Sequence, residues 1–132
     1  MTDVDSTESP RDSELVERAE SAARHAYAPY SNYLVGAVVR TTDGKEFVGV
    51  NVENAAYPLT QCAEKTAIGA AASAGYRPGD IEVVAITASP CGGCRQWLHE
   101  WRVPRVEYRR ADGTIGTATA AELLPDSWDL PG

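Results

Sequence analysis

The amino-acid sequence predicts an α/β fold, a three-layer α/β/α sandwich around a mixed five-stranded sheet. Three observations carry that expectation. Helix-like and strand-like segments succeed one another in the order α-β-β-α-β-α-β-β-α. Residues 81–88 (IEVVAITA) form a continuous apolar run, the pattern of a strand covered on both faces. The chain has 132 residues, 43% of them hydrophobic and 23% charged, enough for one core and short for two.

Residues 1–12 read as a disordered acidic tail and 13–132 as a single domain. Ser13 is placed to cap a helix over 13–28, where Leu15, Val16, Ala19, Ala22, Ala23 and Ala26 form one apolar stripe. Pro29 is expected to end it. Residues 34–41 and 46–52 read as two strands joined through Thr42-Asp43-Gly44-Lys45, with Asp-Gly supplying the turn. An alanine-rich helix follows over 62–74, closed by Gly75. After the strand at 81–88, a helix over 92–101 sets Cys94, Trp97, Leu98 and Trp101 on one face. Two short strands, 106–109 and 114–117, flank Asp112-Gly113, and a short helix covers 120–124.

The formal net charge is −7, and residues 1–20 hold seven acids against two arginines. The body is therefore near neutral and offers no basic stripe, which disfavours a nucleic-acid partner. No apolar run reaches the roughly 18 residues of a membrane span, and no basic, apolar leader opens the chain. A cytoplasmic protein is expected. Its three cysteines are an odd number, two of them in a C-x-x-C, which points to metal or redox chemistry before structural disulfides.

Two short motifs carry the chemistry: Cys62-Ala63-Glu64 and Pro90-Cys91-Gly92-Gly93-Cys94. Each opens a helix that follows a strand, so the two helix N-termini can meet at one edge of the sheet. Three thiolates then supply three of zinc's four positions and leave the fourth to water, the arrangement of a catalytic site. Neither His25 nor His99 is spaced to complete the set. Glu64, two residues from a ligand, is placed to move a proton without binding the metal. Lys65, Arg95 and the two positive helix ends offset the excess negative charge of three thiolates.

Asn51 and Glu53 stand two apart at a strand's end and point the same way. An amide and a carboxylate so aimed suit a pair of sugar hydroxyls, or simply face water. Tyr33 is either a stacking surface for a flat base or a core aromatic. Trp128, in a tail flanked by prolines, is an aromatic in want of a partner.

With C-A-E-K-T-A and S-P-C-G-G-C-R-Q, the sequence resembles the cytidine deaminase family of zinc-dependent nucleoside and nucleobase deaminases. The likeness runs through Pro29-Tyr30-Ser31-Asn32-Tyr33, Val35-Gly36-Ala37, Asn51-Val52-Glu53-Asn54-Ala55 and Glu122-Leu123-Leu124-Pro125. It implies one zinc per chain on Cys62, Cys91 and Cys94, with Glu64 as proton shuttle. It implies that the Ala63 amide and Pro90 carbonyl orient a pyrimidine, that Asn51 and Glu53 hold the ribose hydroxyls, and that Tyr33 lies against the substrate. Ala55, Tyr57 and Trp128 match residues lent to a neighbouring subunit, so the implied assembly is a homotetramer.

The implied reaction is hydrolytic deamination of cytidine and 2′-deoxycytidine to uridine and 2′-deoxyuridine, with release of ammonia, in pyrimidine salvage. The chain departs from the family at Tyr33, where phenylalanine is common, at Pro58 for glycine, Lys65 for arginine and Trp128 for phenylalanine. The stretch before Pro90, which borders the pocket in relatives, is short. A deaminase of another aminopyrimidine or aminopurine nucleoside, blasticidin S-like antibiotics included, is therefore the alternative. A non-catalytic zinc module stays open beside it. So does a thiol oxidoreductase using Cys91 and Cys94, although this leaves Cys62 and Glu64 unexplained.

Overall fold

The computed structural model describes residues 13–130, and the tail expected over 1–12 lies outside the described residues. The strands are β1 (Gly36–Thr41), β2 (Glu46–Val50), β3 (Ile81–Ile86), β4 (Val106–Arg109) and β5 (Ile115–Ala118). They form one sheet in the order β2-β1-β3-β4-β5. β3 and β4 run parallel and the other neighbours antiparallel, so the sheet is mixed as expected.

Helix α1 (Glu14–Ala23) covers one face. Helices α2 (Ala63–Ser73), α3 (Gly92–Glu100) and α4 (Ala120–Leu123) pack on the other. Strand alternation divides the core accordingly. Val38, Val83 and Ala85 meet Leu15, Val16 and Ala19 of α1. Ala37, Val39, Val84 and Ile86 meet Ala67, Ile68 and Leu98 on the opposite side. This two-sided cover explains why β3 is apolar at nearly every position.

Local chemistry sets the helix ends. The Ser13 hydroxyl accepts from the Val16 amide at 3.3 Å and donates to Glu107 at 2.7 Å, tying the start of α1 to β4. Thr119 and Glu122 form a reciprocal capping box on α4. Cys62 and Cys91 hold the N-cap positions of α2 and α3, yet neither side chain caps its helix. Both thiols are thereby left for other work.

Two glycines set how closely the helices lie. A Cβ on Gly36 would come within 2.0 Å of the Ala19 carbonyl oxygen of α1. One on Gly49 would meet the Ala67 nitrogen at 2.4 Å and the Ala63 oxygen at 2.5 Å. The backbones of α1 and α2 thus rest directly on β1 and β2, on opposite faces.

Three features differ from the sequence reading. α1 stops at Ala23, not near Pro29, because Tyr27 leaves the helix to bridge Val52. Its amide donates to the Asn51 carbonyl at 3.0 Å, and its carbonyl accepts from the Glu53 amide at 2.9 Å. A 3-10 turn, Tyr57–Leu59, stands where no element was expected. Trp97 does not share the burial of Cys94 and Leu98 and is exposed on the outer side of α3. Among the described residues, no helix is long and apolar enough to cross a membrane.

Candidate active site

The N-termini of α2 and α3 converge, and with them the three cysteines. Their sulfur atoms lie within 4.8 Å of one another, and the Cys62 and Cys91 sulfurs are 3.9 Å apart. Tetrahedral zinc–thiolate bonds of about 2.3 Å place sulfurs about 3.8 Å apart, so these donors fit zinc with little adjustment. Cys94 is buried, Cys62 half-buried and Cys91 exposed, and all three are free thiols. The group is thus enclosed on the core side and open on the other.

Their proton affinities reflect this crowding. A hydrogen bond from Cys94, helped by Cys91 and the Lys65 ammonium, lowers the Cys62 thiol to about 6. The same bond, reinforced by burial and the charge of Glu64, pushes Cys94 up. The Cys62 thiolate therefore forms readily, while Cys94 holds its proton more tightly. Lys65 extends over α3, its Nζ within 3.8 Å of where a Gly93 Cβ would stand.

Glu64 is only 3% exposed, in the first turn of α2. Burial, with the neighbouring Cys62, raises its pKa above the ordinary carboxylate range. A carboxyl group so poised takes and returns a proton more readily than one fully ionised in water. Ala63, the first residue of α2, has an N–H without an i−4 partner in its own helix.

Cys62, Ala63, Glu64, Cys91 and Cys94 all line one cavity of about 240 Å³, which Tyr33, Asn51, Glu53 and Tyr57 also line. Asn51 and Glu53 are largely buried and are engaged with the loop before β1. The Asn51 Oδ1 accepts from the Val35 amide and its Nδ2 donates to the Tyr33 carbonyl, both at 2.9 Å. Glu53 Oε1 accepts from the amides of Tyr30 and Ser31 at 3.0 and 3.1 Å, and Oε2 from the Ser31 hydroxyl. The Ser31 hydroxyl, first, and the two amides keep the Glu53 carboxyl below its usual pKa, so it stays ionised.

Other candidates stand behind or beside this wall. Pro90 is buried, and its carbonyl accepts from Arg95 Nε at 2.8 Å. Arg95 also donates to the Ser89 hydroxyl and the Leu123 carbonyl, each at 3.1 Å, which fixes the loop before Cys91 against α4. Ala55 and Trp128 are exposed and do not line the cavity. Trp128 lies along the outside of α3, where its carbonyl accepts from Gln96 at 3.2 Å and the next residue, Asp129, meets His99 at 2.8 Å.

Three polar cavity residues, Ser31, Thr60 and Ser89, were not singled out as site residues from the sequence. Short polar side chains in loops carry no periodic signal. Ser31, ahead of Asn-Tyr, does fit a serine turn, and its Oγ accepts from the Tyr33 amide at 3.0 Å.

Residues 9–109 match the family described as the cytidine and deoxycytidylate deaminase zinc-binding region. A cytidine deaminase of Halalkalibacterium halodurans is 39% identical over 122 residues, covering 86% of this chain and 91% of the relative. The crystal structure of cytidine deaminase from Burkholderia pseudomallei superposes with a TM-score of 0.79 at 45% identity, over 86% of this chain and 96% of that one. That of cytidine deaminase from Mycobacterium tuberculosis gives 0.75 at 34% identity, over 90% of this chain and 100% of that one.

Proposed function

The chain belongs to the cytidine deaminase family, a family of zinc-dependent hydrolases, and from that premise we propose that it deaminates cytidine and 2′-deoxycytidine, giving uridine and 2′-deoxyuridine with ammonia. The observation that carries this reading is a single cavity with three thiols, a buried carboxyl and a polar pair on its walls. Cys62, Cys91 and Cys94 hold the zinc, which supplies a water of lowered pKa when bound. Glu64 carries the two protons of the attacking water in turn, the first to ring N3 and the second to the departing amino group. The Ala63 amide and the Pro90 carbonyl orient the base, Tyr33 flanks it, and Asn51 and Glu53 face the sugar. Lys65 and Arg95 stand behind the thiolates, and Arg95 keeps the Pro90 carbonyl in place.

The charge of the cavity argues for a nucleoside over a nucleotide. Among the described residues lining it are two glutamates and no lysine or arginine, so nothing there neutralises a phosphate. Ammonia release from cytidine, 2′-deoxycytidine, cytosine and cytidine monophosphate, measured on one preparation, tests this. The two nucleosides are expected to exceed the base and the monophosphate by at least about tenfold in kcat/KM, because the sugar contributes binding and orientation. Monophosphate turnover equal to that of cytidine would overturn the role given to Glu53. Inactivity toward all four would overturn the substrate class.

The single domain is read as spanning 13–132, and its assembly as a homotetramer in which Ala55, Tyr57 and Trp128 complete neighbouring sites. Exposed apolar side chains support this. Tyr57, Leu59 and Trp128 are 72%, 68% and 67% exposed, and Tyr27 and Val52 lie open on segments joined by a bridge. Sedimentation equilibrium is expected to give four times the chain mass. A fully active monomer at assay concentration would refute the shared sites. Three free thiols that must stay reduced support a cytoplasmic setting, and the reaction suits pyrimidine salvage.

A further inference from the structure

In the loop from Tyr27 to β1, Tyr30, Tyr33 and Leu34 are exposed. Asn32 adopts a left-handed backbone (φ 58°), a conformation that needs support from its surroundings. That support comes from below. The Tyr33 carbonyl accepts from Asn51 Nδ2 at 2.9 Å, while its amide donates to the Ser31 hydroxyl oxygen at 3.0 Å. The Ser31 hydroxyl in turn donates its single hydrogen to Glu53 Oε2. Both main-chain polar groups of Tyr33 are thus fixed, one directly by Asn51 and the other through Ser31 to Glu53.

The same contacts define what Glu53 has left to offer. An ionised carboxylate accepts about four hydrogen bonds. Three are used here, two by the amides of Tyr30 and Ser31 and one by the Ser31 hydroxyl. One acceptor direction remains, and the three occupied ones decide where it points.

We propose that Ser31 is a positioning residue for substrate binding: its hydroxyl couples Glu53 to the Tyr33 amide, setting both the open acceptor direction of Glu53 and the place of the Tyr33 ring on the cavity wall. Ser31 does not take part in proton transfer, because its hydroxyl is taken up by Glu53 and the Tyr33 amide. Its contribution is preorganisation, which appears in substrate affinity and not in the chemical step. The proposal rests on the nucleoside-deaminase reading only for the identity of the substrate.

The test compares Ser31→Ala with Ser31→Thr, which keeps the hydroxyl and has room for its methyl group because Ser31 is exposed. Ser31→Ala is expected to raise KM for cytidine about tenfold, as the loss of a hydrogen bond to a charged group does, with kcat within about twofold and zinc content unchanged. Ser31→Thr restores the parental KM. The exchange of the Tyr33 amide with solvent, followed by NMR, accelerates at least about fivefold in Ser31→Ala and returns in Ser31→Thr. An unchanged Tyr33 amide in Ser31→Ala, or a KM that threonine does not rescue, overturns the proposal. If the parent protein releases no ammonia from cytidine, the substrate reading fails, and the amide exchange still decides whether Ser31 holds the loop.

Discussion

Replacing Glu64 with glutamine is expected to lower kcat by roughly a hundredfold to ten-thousandfold while the protein keeps its fold and its zinc. Glutamine has nearly the same shape and fits the same buried position, 3% exposed in the first turn of α2. What it lacks is the ability to accept a proton from water and return it to the base. Because burial raises the Glu64 pKa, the carboxyl group binds a proton more readily than an exposed glutamate would, and among the described residues no other carboxylate on the cavity wall shares that property. Glu53 is held in the opposite sense by its hydrogen bonds and cannot substitute. The check is steady-state turnover of cytidine with metal analysis on the same sample. A variant within tenfold of the parent would assign the proton to another group.

Removing the metal is expected to have an effect as large on activity and a further one on stability. Chelator-stripped protein should release no measurable ammonia, and one equivalent of zinc per chain should restore it. The three sulfurs come from the N-termini of two helices, which a bound zinc would hold together. Zinc binds the folded arrangement in preference to the unfolded chain, and at a concentration a hundredfold above Kd that amounts to about 2.7 kcal/mol. For a chain of this length, the loss corresponds to a fall in Tm on the order of 10 °C. Cys91→Ala should reproduce both effects without added chelator. Differential scanning calorimetry and elemental analysis measure them. Full activity in protein holding much less than one equivalent would remove zinc from the reaction.

The parts legible in the sequence are those whose cause is local. The apolar run in β3 announced burial on both faces, and the Asp43-Gly44 turn, with Gly44 at φ 91°, announced the β1–β2 hairpin. The cysteine site was legible because sulfur ligands carry their chemistry in residue type, and a helix start fixes where they point. What escaped depends on partners distant in the chain. The end of α1 is dictated by the pairing of Tyr27 with Asn51 and Glu53, more than twenty residues on, and not by Pro29. Alternation showed that Asn51 and Glu53 share a side, but not that the loop at 30–35 already uses most of their hydrogen-bonding capacity. Helical spacing set Trp97 on one face with Cys94, Leu98 and Trp101, yet it is the other three that reach the core.

The contact of α1 and α2 on Gly36 and Gly49 bears on how this enzyme can change. At both places main chain meets main chain, so no side chain is available whose enlargement or trimming would shift a helix by a fraction of an ångström. Cys62 and Glu64 sit at the end of α2 that Gly49 supports. Substitutions accumulating in the core can therefore alter its fluidity but have little leverage on the reacting carboxylate. The rim is different. Tyr33 and Tyr57 are exposed and come from separate segments, so each can vary without displacing the other. Divergence toward a new base or a bulkier sugar is expected first at that rim, where a substitution leaves the α2 end in place.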